Sequence, residues 1–73
     1  MKVVEISSEP VELYKILKFE GMVSSGGEAK SVIANGQVLV NGETETRKRK
    51  KIVSGDMIEF GQEKIRIQLT AAT

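Results

Sequence analysis

An α+β fold, two short helices packed on a twisted antiparallel sheet of about four to five strands, is what this sequence predicts. Three observations predict it. Apolar residues recur at three-and-four spacing at Leu13, Ile16 and Leu17, and again at Ala29, Val32 and Ile33, which is the period of helices with one buried face. Asn41-Gly42 sits between alternating residues, a strong hairpin signal because both central positions of such a turn require positive φ. Met57-Ile58-Glu59-Phe60 and Lys64-Ile65-Arg66-Ile67-Gln68-Leu69 alternate around Gly61-Gln62 as a second hairpin.

The elements follow in order. Val3-Val4-Glu5-Ile6 is short and rich in β-branched residues, and reads as a strand that stops at Ser7-Ser8. A first helix is expected near 10–20. Pro10 suits its first turn, where an amide proton has no partner, Glu9 and Glu12 favour its positive end, and Gly21 closes it in a left-handed cap. Ser25 and Glu28 have the spacing of a capping box, so a second helix starts at Ser25 and ends at Asn35-Gly36. Two such helices bury little alone and need the sheet. That sheet is supplied by Gln37-Val38-Leu39-Val40, Glu43-Thr44-Glu45-Thr46, Lys51-Ile52-Val53 and the second hairpin, with Ser54-Gly55-Asp56 as a turn. Phe60 is expected in the core and Tyr14 half-buried, and residues 70–73 read as a frayed tail. The whole of 1–73 makes one domain, without linker, repeat or low-complexity tract.

Size and composition narrow the chemistry. A chain of 73 residues is near the lower limit for one hydrophobic core without disulfides or metal, and a hydrophobic share of 40% with 29% charged residues is that of an ordinary globular protein. The sequence has neither cysteine nor histidine, which removes disulfides, thiol nucleophiles, imidazole bases and most zinc or haem ligation. The remaining lysines and carboxylates show no spacing that singles out a catalytic pair. The expectation is a protein that is not an enzyme and carries no metal or cofactor. No apolar run approaches the roughly 20 residues that span a bilayer, so the expected location is the cytoplasm, with no membrane partner.

Charge is unevenly placed. Arg47-Lys48-Arg49-Lys50-Lys51 carries five positive charges in a chain of net +1, leaving six basic against ten acidic residues elsewhere. A compact positive patch on an otherwise acidic body attracts a polyanion while the rest limits indiscriminate sticking. Taken alone, such a run reads equally as nucleic-acid contact or as either solvated surface or a localisation tag.

The stretch from Val11 to Phe60 resembles the RNA-binding domain named after bacterial small-subunit ribosomal protein S four, also called the alpha-L RNA-binding motif. The resemblance rests on order and spacing: an apolar helix ending in Gly21, a serine-rich start to a second helix bearing Ala29, Ile33-Ala34-Asn35-Gly36-Gln37-Val38, Val40-Asn41-Gly42, and Gly55-Asp56-Met57-Ile58. With Glu45-Thr46-Arg47-Lys48-Arg49-Lys50-Lys51-Ile52-Val53 and little appended sequence, it is most similar to stand-alone members of the YbcJ and YaaA type. The resemblance implies binding to structured RNA, often ribosomal or transfer RNA, through the start of the second helix and the adjacent hairpin. The chain departs from the family at Ser25-Gly26, where members commonly carry Ser-Arg, and its connection reads one residue longer, so the arginine that usually reaches phosphate from the helix start is missing.

The residues expected at such an interface are Ser25, Gly26, Gly27, Lys30, Gln37, Asn41, Arg47, Lys48, Arg49, Lys50 and Lys51. A helix start presents unpaired amide protons and a partial positive charge, which suits phosphate. Gly26 and Gly27 either let an RNA backbone come close or only shape a tight turn. Lys30 stands at the rim of the second helix's core face, within reach of the same ligand. Lys18 reads as surface. Arg47–Lys51 either alternates sides or loops around an edge, so only some of its five charges face the ligand. Gln37 and Asn41 offer hydrogen bonds to ribose or base edges, although Asn41 is equally explained by its turn. With only Tyr14, Phe19 and Phe60 as aromatics, recognition of shape and backbone is expected rather than stacking. The alternative function is a ribosome-associated protein–protein adaptor that docks through an exposed sheet edge or acidic face. The expected partner is RNA, ribosomal or transfer, with the ribosome as its setting, and the protein is expected to be a monomer.

Overall fold

The computed structural model describes residues 1–70. Its elements are β1 (Lys2–Ile6), β2 (Val11–Glu12), α1 (Leu13–Phe19), α2 (Gly26–Ala34), β3 (Val38–Val40), β4 (Glu43–Thr44), β5 (Lys51–Ile52), β6 (Met57–Phe60) and β7 (Glu63–Leu69). Five strands form one sheet in the order β1-β7-β6-β3-β4, and β2 and β5 form a separate two-stranded ribbon.

Both hairpins form where turn chemistry puts them. Asn41 and Gly42 have φ of 54° and 83°, so both central residues of the two-residue turn are left-handed, and Val40 pairs with Glu43 across it. Phe60 pairs with Glu63 across Gly61-Gln62. Asp56 serves its turn, accepting from the Val53 amide (3.0 Å) and from the Asn41 side chain (3.0 Å).

The helices end as the glycines require. At α2, the Gly36 amide donates to the Ile33 carbonyl and the Gln37 amide to the Val32 carbonyl, both at 3.0 Å, with Gly36 at φ +76°. That double closure satisfies two of the carbonyls a helix end leaves over, and it needs a residue without a Cβ penalty. The same pattern at α1 joins Gly21 to Lys18 and Met22 to Leu17.

The core lies between the two helices and the inner face of the sheet. Leu13, Ile16, Leu17, Ala29 and Ile33 meet Val4, Ile6, Val38, Val40, Ile58, Ile65 and Ile67, all buried. Along β7 the alternation is strict, with Ile65 and Ile67 inward and Lys64, Arg66 and Gln68 exposed. Val32 and Phe60, expected in the core, are half-buried at its margin, and Tyr14 is half-buried as expected.

Three features differ from the sequence expectation. The sheet is mixed, because β1 runs parallel to β7 with Val4 beside Ile67. Parallel neighbours need a long crossover, and here both helices and five strands lie between the two in sequence. The first helix begins at Leu13 and not near residue 10, because Val11 and Glu12 pair antiparallel with Ile52 and Lys51. Pro10 therefore precedes a strand, and the Glu9 carboxylate accepts from the Ser54 amide (2.7 Å) instead of facing a helix end. Thr70 is tied to the fold by its amide, which donates to Ile6 (2.8 Å), and the rest of the expected frayed tail, 71–73, lies outside the described residues.

Candidate nucleic-acid interface

The basic run does not hang in solvent. The Lys50 amide donates to the Arg47 carbonyl (3.1 Å), closing a four-residue turn that puts exposed Lys48 and Arg49 at its tip. The carbonyls of the run are used elsewhere. Lys50 accepts from the Leu13 amide (2.9 Å) and Lys48 from the Tyr14 amide (3.1 Å). These are first-turn amides of α1, which have no partner inside the helix. The run thus satisfies the helix start with its backbone, and its position relative to α1 is fixed.

Its five charges are not equivalent. Arg47 is clamped on Glu45, with Nε 2.9 Å from Oε2 and Nη2 3.1 Å from Oε1, and its own amide donates to the same carboxylate (3.0 Å). Hydrogen bonding to that side chain pulls the Glu45 carboxyl down to about 2, and the positive field of Arg47 and Lys50 adds to it. Arg47 therefore stays paired with an ionised Glu45 throughout the neutral range. Lys51 is on β5 opposite Glu12 and lines a groove with Pro10, Val11, Glu12 and Lys15. Among the described residues, neither Lys48 nor Arg49 pairs with a carboxylate.

The second helix starts as its capping residues direct. Ser25 is the N-cap, its Oγ accepting from the Glu28 amide (3.0 Å), and the Ala29 amide makes the first turn's bond to the Ser25 carbonyl (3.0 Å). The reciprocal arm lands one residue earlier than a capping box has it, since Glu28 Oε1 accepts from the Ser24 amide (2.6 Å) and hydroxyl (2.7 Å). Those bonds, the backbone one first, lower the Glu28 pKa. The amides of Gly26 and Gly27 precede the first helical bond and are available to a ligand.

Gly26 and Gly27 are helical and not in the left-handed region, so no turn geometry requires them. Nor does packing. A Cβ on Gly26 would meet only the Lys18 side chain at 3.9 Å, and one on Gly27 only Ser25 Oγ at 3.8 Å, both ordinary contacts. Of the two readings open for this pair, the tight turn loses its support.

Tyr14 joins these pieces. Lys30 Nζ lies 4.9 Å from the centre of its ring, while its amide holds Lys48. Gly26 lies beside Lys18. Residues four apart share a helix face, so Tyr14 and Lys18 on α1 run alongside Lys30 and Gly26 on α2, in opposite directions. The result is one row on the surface: the Lys48-Arg49 turn, then Tyr14 with Lys30, then Lys18 with Gly26.

Ser25, Gly26, Gly27, Lys30, Lys48 and Arg49 thus fall on or beside a common surface. Gln37 leaves the opposite end of α2 from Gly26. Asn41 is spent on structure, its Nδ2 donating to Asp56 (3.0 Å) and its Oδ1 accepting from the Met57 amide (2.9 Å). Tyr14 and Lys18 were not among the expected site residues. Their four-residue spacing beside the Leu13-Ile16-Leu17 stripe was the one signal that both line a single face.

A second surface is apolar. Phe19 is 73% exposed and lies beside a groove lined by Val4, Ile6, Val11 and Ile16, between β1 and α1.

Comparison with known proteins places these features in context. The S4 domain family matches residues 4–68. The "Putative RNA-binding protein YbcJ" of Escherichia coli (strain K12) is 49% identical over 57 residues, which is 78% of this chain and 81% of that protein. The "Probable ribosome maturation protein RlbA" of Bacillus subtilis (strain 168) is 36% identical over 57 residues, 78% of this chain and 80% of that one. The solution structure of YbcJ from E. coli, described as revealing an alpha-L motif involved in RNA-binding, superposes with a TM-score of 0.72 at 43% identity, covering 93% of this chain and 87% of that chain.

Proposed function

The chain belongs to the S4 domain family, and from that premise we propose that it binds structured RNA, ribosomal or transfer, along the row formed by the Lys48-Arg49 turn, Lys30, Lys18 and the start of α2. The observation that carries this reading is the Tyr14 bridge, which ties the basic turn to Lys30 and so makes one cationic surface of two separate segments. Lysines are point charges suited to backbone contact, so the mode is recognition of phosphate and shape more than of base identity. The name of RlbA favours ribosomal RNA as the first target, and with it a setting on the ribosome. The protein acts by binding as a monomer in the cytoplasm, without catalysis. Among the described residues no helix is long and apolar enough to cross a membrane.

Missing the helix-start arginine, the chain has two glycine amides and the neighbouring lysines in its place. If Lys18, Lys30, Lys48 and Arg49 each neutralise one phosphate, log affinity for total ribosomal or unfractionated transfer RNA falls against log salt with a slope of about −3, at roughly 0.7 to 0.9 per contact. A filter-binding series over salt concentration measures it. Failure to retain RNA at any salt concentration would favour the adaptor reading, for which the Phe19 groove is the corresponding surface.

A further inference from the structure

We propose that Tyr14 is a positioning residue of this interface, its ring presenting the Lys30 ammonium to phosphate while its amide sets the Lys48-Arg49 turn beside it; the inference rests on the RNA-binding reading above. Two independent contacts of one residue carry it. The first is Lys30 Nζ at 4.9 Å from the ring centre, inside the range in which a ring's negative face attracts a cation. The second is the 3.1 Å bond from the Tyr14 amide to the Lys48 carbonyl.

A lysine side chain has four rotatable bonds, and ordering it on a ligand costs conformational entropy. Held on the ring beforehand, Lys30 has already lost much of that freedom, and the order is in place when RNA arrives. Lys15 does not compete for this role. Its Nζ is at 6.0 Å, the outer limit of such a contact, and is paired with Glu12 at 3.4 Å. The ring face that Lys30 covers is not open to a stacked base, so Tyr14 acts through the cation and not by touching RNA itself.

Three behaviours distinguish this role from direct contact. Tyr14→Phe keeps the ring and binds transfer RNA as the unaltered protein does. Tyr14→Leu weakens binding about two- to tenfold, the cost of ordering one long side chain only when RNA arrives, yet keeps the salt slope, because Lys30 still reaches phosphate. Lys30→Met lowers the magnitude of the slope by about 0.7 to 0.9, and in that background Tyr14→Leu has no further effect.

The experiment is a double-mutant cycle on unfractionated transfer RNA, with the Lys30 ε-methylene proton shifts recorded by NMR. Wild type and Tyr14→Phe should show those protons displaced upfield by the ring, and Tyr14→Leu should not. Should Tyr14→Leu fail to fold, the shifts of the other two proteins still decide, and undisplaced Lys30 protons overturn the proposal. So does a loss in Tyr14→Phe, which would mean the hydroxyl contacts RNA, or a Tyr14→Leu defect that persists without Lys30, which would mean stacking. Unaltered binding by folded Tyr14→Leu overturns it as well. If the unaltered protein itself does not bind, it is the RNA reading that fails.

Discussion

Replacing Lys30, Lys48 and Arg49 together by alanine weakens binding to transfer RNA by roughly a hundred- to five-hundredfold at about 0.1 M salt, with the melting temperature nearly unmoved. The magnitude follows from counterion release, since each lost phosphate contact removes about 0.7 to 0.9 of a decade per decade of salt. The fold survives because Lys48 and Arg49 are exposed, Lys30 is half-buried beside the Tyr14 ring and outside the core, and the bonds that fasten the turn to α1 come from the carbonyls of Lys48 and Lys50. Exposed substitutions away from caps and networks change stability by about 0.5 kcal/mol or less. Arg47 is left out deliberately, because Glu45 already offsets its charge. Gel-shift titrations with parallel thermal melts check both halves. An affinity that stays within a few-fold of the original would remove the turn and Lys30 from the interface.

The second large effect is on the scaffold. Leu17→Ala destabilises the domain by about 2–5 kcal/mol, through lost burial and the cavity left behind. Leu17 has no exposed surface and sits in the stripe of α1 that meets the core. A domain of this size has about 4–11 kcal/mol in total at 0.05–0.15 per residue, so the loss is a large fraction of what there is. The melting temperature falls by about ten degrees or more, at 4–8 degrees per kcal/mol, as followed by circular dichroism. A shift of a degree or two would mean that the helix layer contributes far less than its burial implies.

Local chemistry was legible in the sequence because each signal has a nearby cause. Asn41-Gly42 demands a left-handed pair, Ser25 caps its helix through an amide three residues on, and Gly21 and Gly36 close helices through neighbours within five residues. Long-range pairing was not legible. Nothing in Val3-Val4-Glu5-Ile6 indicates that it lies parallel to the last strand, or that Val11 and Glu12 leave the helix to pair with β5. The site divides along the same line. The helix start and the basic run were visible as segments, whereas the Arg47 clamp on Glu45 and the Tyr14 bridge depend on side chains that no periodic pattern aligns. Phe19 is the clearest case on the other side. As a large apolar residue at the end of a helix it has every local reason to be buried, yet it stands exposed next to the groove.

Backbone amide shifts recorded while unfractionated transfer RNA is added to isotope-labelled protein test the row of cations most directly. The amides of Tyr14, Gly26, Gly27, Lys30, Lys48 and Arg49 are expected to move together at the same RNA concentration while β1 and Phe19 stay still. Changes confined to Val4, Ile6, Val11 and Phe19, or spread over opposite faces of the sheet, would contradict that expectation.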